Sequence, residues 1–180
     1  MTEPCLLRED KDGIATLTLN RPAALNALSD AMLAALKSAF ATLAEDASVR
    51  VVILRGAGRA FCAGHDLKEM QAARTGPDKG AAYFADLFSR CAEVMQAIPR
   101  LPQPVIAEVQ GIATAAGCQL VASCDLAVAA EGARFGVNGV NIGLFCSTPM
   151  VALTRNVAPT VAFELLTTAE FLHPARAPEV

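Results

Sequence analysis

Charge is scarce in this chain: 15 lysines and arginines against 18 aspartates and glutamates leave a net charge of −3 over 180 residues. That balance excludes the broad basic surface on which nucleic-acid binding rests. It leaves room for a local basic patch facing a phosphorylated ligand. No uncharged apolar run reaches the roughly 18 residues that would suggest a membrane-spanning helix. The opening Met-Thr-Glu-Pro-Cys has neither the apolar core of a secretory signal nor an arginine-rich amphipathic helix. Cysteines stand at 5, 62, 91, 118, 124 and 146 with no Cys-x-x-Cys spacing, and several sit inside apolar runs, as reduced core thiols do. These absences together point to a reducing, cytoplasmic location. There is no sequence repeat, low-complexity segment or interdomain linker. Residues 1–180 therefore read as one domain, and with more than half its residues apolar it can bury a substantial core.

What is present alternates between strand and helix. Apolar runs around Lys11-Asp12-Gly13 predict a hairpin, with a strand ending near Glu9 and a second over Ile14–Leu19, because Asp-Gly accepts a tight turn. Ser29 is placed to cap a helix from Asp30 to about Glu45, whose stripe Met32, Leu33, Leu36, Phe40 and Leu43 is core. Val51–Leu54 is an apolar strand expected to be buried on both faces. A short helix follows from Asp66 to about Ala73, Asp66 itself reading as an N-cap. The polar Thr75–Gly80 loop is a candidate lid. The helix Ala81–Ile98 carries Phe84, Leu87, Phe88, Cys91, Val94, Met95 and Ile98 on one face, expected to be core. Strands are predicted at Val105–Val109 and Asp125–Ala130, with a short extended piece at Ala133–Val137. A loop then covers Asn138–Cys146, and helices Thr148–Asn156 and Pro159–Thr167. Strands alternating with helices imply an α/β fold with a largely parallel sheet.

Two stretches share one design. In Val105–Ser123 an apolar strand breaks at Gly111 and passes through the small residues Ala113–Gly117 into a helix. In Val51–Met70 a strand, a glycine-rich turn and Gly64-His65-Asp66-Leu67-Lys68-Glu69 do the same. Residues this small leave the first N–H groups of the helix uncovered, where a carbonyl oxygen can be polarised. Gly56-x-Gly58 begins a dinucleotide fingerprint, but Phe61 stands where its third glycine belongs, which argues against that site. Cys62, His65, Asp66 and Glu69 form one arguable metal cluster. It lacks the paired Cys or His of a structural zinc site, so no metal is expected.

These two stretches, together with Asn20-Arg21-Pro22 and Asn26-Ala27-Leu28, resemble the enoyl-CoA hydratase/isomerase (crotonase) family over roughly residues 10 to 170. The resemblance implies a spiral of β-β-α units with a largely parallel sheet flanked by helices. It implies acyl-CoA thioesters as ligands, with coenzyme A part of the substrate and no separate cofactor. Two backbone N–H groups, at His65 and Ala116, correspond to the family's oxyanion hole. Ala115 and Ala116 stand where most relatives have glycines, which requires that neither adopt positive φ. Ala24, Leu25, Ala63, Gly64, Asp66, Lys68 and Gly117 fall on the CoA- and substrate-binding segments, with Arg21 and Arg59 as further phosphate candidates.

The family's two catalytic glutamates correspond to Gln119 and Gly139. A carboxylate pair is the usual means of activating water and protonating the α-carbon, so efficient hydration is not expected. Restoring both, by Gln119→Glu with Gly139→Glu, is expected to raise it if the pocket geometry survives. Cys118, Asn138, Asn141, Cys146 and Ser147 lie on segments that line the family's acyl pocket, and Cys146 as a nucleophile lacks a neighbouring His. After Phe163–Thr168 the chain lacks the family's C-terminal helical region, which helps bind CoA and build trimers. A homotrimer or a multiple of trimers is expected, with no membrane association. Three readings stay open: a weak lyase-type enzyme of fatty-acid metabolism, a non-catalytic acyl-CoA binder, and an assembly partner for a longer paralogue.

Overall fold

The computed structural model describes residues 3–176; the readings that fall on Met1, Thr2 and residues 177–180 lie outside them. Strands β1 (Leu6–Lys11) and β2 (Ile14–Leu19) form an antiparallel hairpin. Asp12 and Gly13 both take positive φ, at 52° and 80°, as a two-residue hairpin turn demands. β1 therefore runs two residues past the predicted Glu9. Helix α1 (Asp30–Ala44) is capped by Ser29, whose Oγ accepts the Met32 N–H at 3.2 Å, and its predicted stripe is buried throughout. β3 (Val51–Gly56) is followed by the short β4 (Ala60–Cys62), then α2 (Leu67–Ala73) and α3 (Ala81–Ala97). Next come β5 (Val105–Val109), β6 (Ile112–Thr114) and α4 (Ala116–Ala122). β7 (Leu126–Ala129), β8 (Arg134–Gly136), a 3-10 turn (Asn138–Ile142), α5 (Ser147–Asn156) and α6 (Pro159–Thr168) complete it.

The strands divide between two sheets. One has the order β1-β2-β3-β5-β7 and is parallel except for the hairpin; the other, β4-β6-β8, is parallel throughout. From β3 onward each turn of the chain contributes one strand to the large sheet, one to the small sheet, and then helix. That repetition is a β-β-α spiral. The inward residues of β2, β3 and β5 pack in one core cluster with α1 and α3. The opposite face of β3 is only half-buried at Val51 and Ile53, so the expectation of burial on both faces is corrected: the helices cover one side. A smaller cluster joins Cys118, Val137 and Cys146 to α5 and α6.

On α3 the predicted apolar stripe holds except at its middle. Leu87, Cys91, Val94, Met95 and Ile98 are buried, Phe84 is half-buried, and Phe88 is 38% exposed because it faces a cavity. The Thr75–Gly80 segment is tied into the start of this helix. The Asp78 carboxylate accepts the N–H groups of Gly80 and Ala82, each at 3.0 Å.

Candidate functional site

The parallel pairing of β4 with β6 sets the site. It aligns Ala60 with Ile112 and Cys62 with Ala113, so the corners that follow the two strands lie side by side. Two glycines permit the approach. Gly64 has φ +91°, and a Cβ there would stand 3.0 Å from the Ala115 Cβ and 3.4 Å from the Ala116 nitrogen. A Cβ on Gly117 would be driven into the Cys62 carbonyl oxygen.

At the first corner Leu28 bridges to His65 in parallel register. The Leu28 N–H donates to Gly64 O at 2.8 Å, and the Asp66 N–H donates to Leu28 O at 3.2 Å. That pattern skips the His65 N–H, which finds no acceptor among the described residues. At the second corner the Ala115 N–H donates to Gly136 O at 2.9 Å. Ala116 then opens α4, and its N–H is one of the donors a helix start leaves unpaired.

The requirement placed on Ala115 is not met. Its φ is 51° and its ψ −122°, a conformation that glycine adopts freely and a Cβ resists. Strain of this kind is worth about 1–3 kcal/mol. Ala115→Gly is therefore expected to stabilise the protein by about 1 kcal/mol after glycine's own entropic cost. Differential scanning calorimetry should show a melting temperature ~3 °C higher; a lower one would mean that the Ala115 methyl contributes packing that outweighs the strain.

The segment Ala24-Leu25 lies beside the first corner as expected, the Ala63 N–H donating to Leu25 O at 3.0 Å. Its position depends on Asn26, which the sequence reading used only as part of a motif. Asn26 is fully buried, with φ 54°. Its amide accepts the Arg21 N–H at 2.9 Å and donates to the Ala57 and Ala60 carbonyls at 2.9 and 2.8 Å. The signal for this role was an Asn between two apolar stretches, which by itself also fits an exposed turn.

Asp66 caps α2, accepting the Lys68 N–H at 3.1 Å, and pairs with the Arg21 guanidinium at 3.0 Å. Burial raises its pKa, but the Arg21 guanidinium and the backbone donors outweigh this and hold the carboxyl below the usual aspartate range. The stability it contributes is thus present above its unfolded pKa of about 4 and is lost as pH falls through the lower folded value. Arg21 is consequently committed to Asp66, whereas Arg59 and Lys68 are exposed and have no side-chain partner among the described residues. Glu69 accepts the Asp30 N–H at 2.8 Å, and among the described residues no group of three or more His, Cys, Asp or Glu is placed to hold a metal.

His65 is largely buried, and its Nδ1 has no hydrogen-bond partner. Burial depresses the imidazole pKa, only partly offset by the Leu28 backbone, so the ring is neutral at pH 7. Its edge meets Phe88 at 5.7 Å between centroids. Phe88 in turn lines a cavity of about 550 Å³ between α3, α4 and α5, walled also by Cys91, Met95, Ala122 and Ala152. Gln119 lines the same cavity. Its side chain is buried and Oε1 has no partner.

Gly139 lies apart from that wall, inside the 3-10 turn. A Cβ on it would stand 2.5 Å from Leu144 O and 2.7 Å from Cys146 Sγ. Cys118 and Cys146 are buried in the smaller core cluster and do not line the cavity, and burial pushes the Cys118 thiol up to about 12. Asn138 accepts the Thr114 hydroxyl at 2.8 Å, while Asn141 and Ser147 are exposed.

The β-β-α spiral and its paired strand–helix corners define a crotonase-like fold. The chain belongs to the enoyl-CoA hydratase/isomerase family, whose model matches residues 9–180. It is 47% identical over 167 residues, 93% of this chain and 55% of the relative, to enoyl-CoA hydratase domain-containing protein 3, mitochondrial, of Xenopus laevis. It is 48% identical to the Homo sapiens protein of the same name over 88% of this chain and 51% of the relative. Among solved structures, an enoyl-CoA hydratase from Mycobacterium smegmatis superposes with a TM-score of 0.92 at 63% identity, covering 98% of this chain and 67% of that one. The chain spans about half the length of the curated relatives named here. These relatives are named mitochondrial, which overturns the cytoplasmic location expected from the sequence. No helix among the described residues is long and apolar enough to cross a membrane.

Proposed function

We propose that the protein binds acyl-CoA thioesters, with the thioester oxygen between the N–H groups of His65 and Ala116. The observation that carries this reading is the pair of unpartnered donors at adjacent corners, one on each side of the β4–β6 pairing. Preorganised donors of this kind stabilise a thioester enolate or a tetrahedral intermediate without reorganising as charge develops. Ala24, Leu25, Ala63, Gly64 and Gly117 form the backbone cradle around them, and exposed Lys68 and Arg59 supply cations for the phosphates. The family reading places Gln119 and Gly139 where hydratases carry glutamates. A glutamine amide does not transfer protons near neutral pH and glycine has nothing to offer, so hydration of an enoyl-CoA is slow or absent.

A second reading, a non-catalytic acyl-CoA binder, is favoured by the packing at Gly139, which leaves no space for a second carboxylate. The assembly that accompanies either reading is a homotrimer or a multiple of trimers. Support comes from the apolar side chains left exposed at Leu126, Val128, Ile142 and Phe163, each more than 60% accessible.

A thermal shift tests the binding claim. Butyryl-CoA at a hundredfold excess over its dissociation constant adds about 2.7 kcal/mol, a rise of roughly 5–10 °C for a domain of this size. Free CoA, which lacks the thioester carbonyl, is expected to give a smaller rise. No shift with butyryl-CoA, or an equal shift with free CoA, would remove the oxyanion assignment.

A further inference from the structure

We infer that the His65 imidazole is a catalytic base that takes a proton from the α-carbon of a bound acyl thioester and returns one drawn from solvent. The inference rests on the acyl-CoA reading above and adds an activity to it, α-proton exchange. Few side chains at the two corners are free to accept a proton. The Asp66 carboxylate is paired with Arg21 and caps α2, and the Glu69 carboxylate accepts the Asp30 N–H. Burial pushes the Cys62 thiol up to about 12, and neither Gln119 nor Gly139 takes a proton near neutral pH. His65 is different. Burial keeps its ring neutral at pH 7, and a neutral imidazole carries a lone pair on one nitrogen. Nδ1 is closed off without a partner; Nε2 makes no hydrogen bond either, but lies at the partly exposed edge of the ring. With the proton on Nδ1, Nε2 is the free base.

Covalent geometry supplies the reach. The N–H that holds the thioester oxygen and the imidazole belong to one residue, and Nε2 lies roughly 4–6 Å from that backbone nitrogen. A thioester oxygen accepting the N–H at about 2.9 Å has its α-carbon only two bonds further on. These lengths match, so Nε2 can stand about 3–3.5 Å from the α-carbon, the separation of a near-attack arrangement. The ring edge also meets Phe88, which lines the cavity, so the imidazole borders the path an acyl chain takes from the donors into that cavity. As the α-proton moves to Nε2, the C–H electron pair becomes the enolate double bond. The carbonyl π pair moves onto the oxygen held by the N–H groups of His65 and Ala116. The imidazolium trades its new proton with water at the exposed edge, and the enolate takes one back at the α-carbon. No bond to coenzyme A breaks and no water adds, so neither missing carboxylate is needed.

Incubation of the protein with butyryl-CoA in deuterium oxide tests this, with mass spectrometry following deuterium at the α-carbon and isothermal titration measuring binding. The unmodified protein should exchange the α-protons at least about a hundredfold faster than the same buffer without protein, the lower end of what a positioned base contributes. His65→Ala and His65→Gln keep the backbone donor and should bind butyryl-CoA within a few-fold of the unmodified protein, yet lose at least about tenfold of the exchange rate. The glutamine, similar in size and unable to take a proton, serves if the alanine variant fails to fold. A protein that binds butyryl-CoA without exchanging its α-protons, or exchange that persists in a folded His65 variant, would overturn the inference and leave acyl-CoA binding intact. Failure of the unmodified protein to bind butyryl-CoA would overturn the acyl-CoA reading and this inference with it.

Discussion

Replacing Ala116 by proline is expected to cost the protein most of its acyl-CoA affinity while leaving the fold in place. Proline removes the N–H outright, and residue 116 opens α4, a position at which proline's fixed φ is compatible with a helix. The loss of one oxyanion donor is worth about 3 kcal/mol in a transition state, or roughly a hundredfold in rate. In ground-state affinity we expect about tenfold or more. Ala116→Gly keeps the donor and should bind nearly as well as the unmodified protein, with only the helix-propensity penalty of glycine. His65→Ala should also be mild, because the backbone N–H survives and the imidazole Nδ1 has no protein partner to lose. Circular dichroism establishes that the variants are folded, and titration with butyryl-CoA gives the result. If His65→Ala abolished binding while Ala116→Pro did not, the imidazole would be the functional group and the oxyanion assignment would be wrong.

The second large effect reverses an expectation raised by the sequence. Two glutamates introduced at 119 and 139 should not produce a hydratase. A side chain at 139 must begin with a Cβ 2.5 Å from the Leu144 carbonyl oxygen, a backbone atom that cannot rotate away. Overpacking of this kind costs about 1–3 kcal/mol, and a buried carboxylate without a partner adds to it. Gly139→Glu, alone or with Gln119→Glu, is expected to lower the melting temperature by roughly 5 °C or more. Neither variant should gain crotonyl-CoA hydration in a spectrophotometric assay that follows loss of the conjugated enoyl thioester. Gln119→Glu alone should fold, because the cavity has space for it. Burial there raises the pKa of the new carboxyl. A double variant that keeps its melting temperature and hydrates at least about tenfold faster would show that the turn yields and that the missing carboxylates were the sole obstacle.

The helices were legible where one residue decides a boundary. Ser29 ahead of α1 and Asp66 ahead of α2 accept the backbone N–H groups that their positions implied. The stripe on α1 is buried to the last residue because helical periodicity needs no partner to be read. The short strands β4 and β6 were not legible, although the extended piece that became β8 was. β4 and β6 have three residues each, too few for any alternation to register, and their pairing joins segments some fifty residues apart. The fully buried Asn26 was likewise hidden, since its three backbone partners are assembled only by the fold.

By itself, the sequence determined the family, the alternation of strand and helix, and the two small-residue corners at which unpaired N–H groups could arise. These are local matters of side-chain size, capping and apolar period. The tertiary structure alone decided which groups remain unpaired once neighbouring strands have taken their hydrogen bonds. The Leu28 bridge passes over the His65 N–H, Arg21 is drawn onto Asp66, and Ala115 is held at positive φ against the preference of its own side chain. The structure also separates two positions that the sequence treated as equivalent: Gln119 faces an open cavity, whereas Gly139 is closed in by Leu144 and Cys146. The physical reason is the same in each case. A hydrogen-bond partner or a packing clash depends on distances across the chain, and no local pattern of residues encodes those.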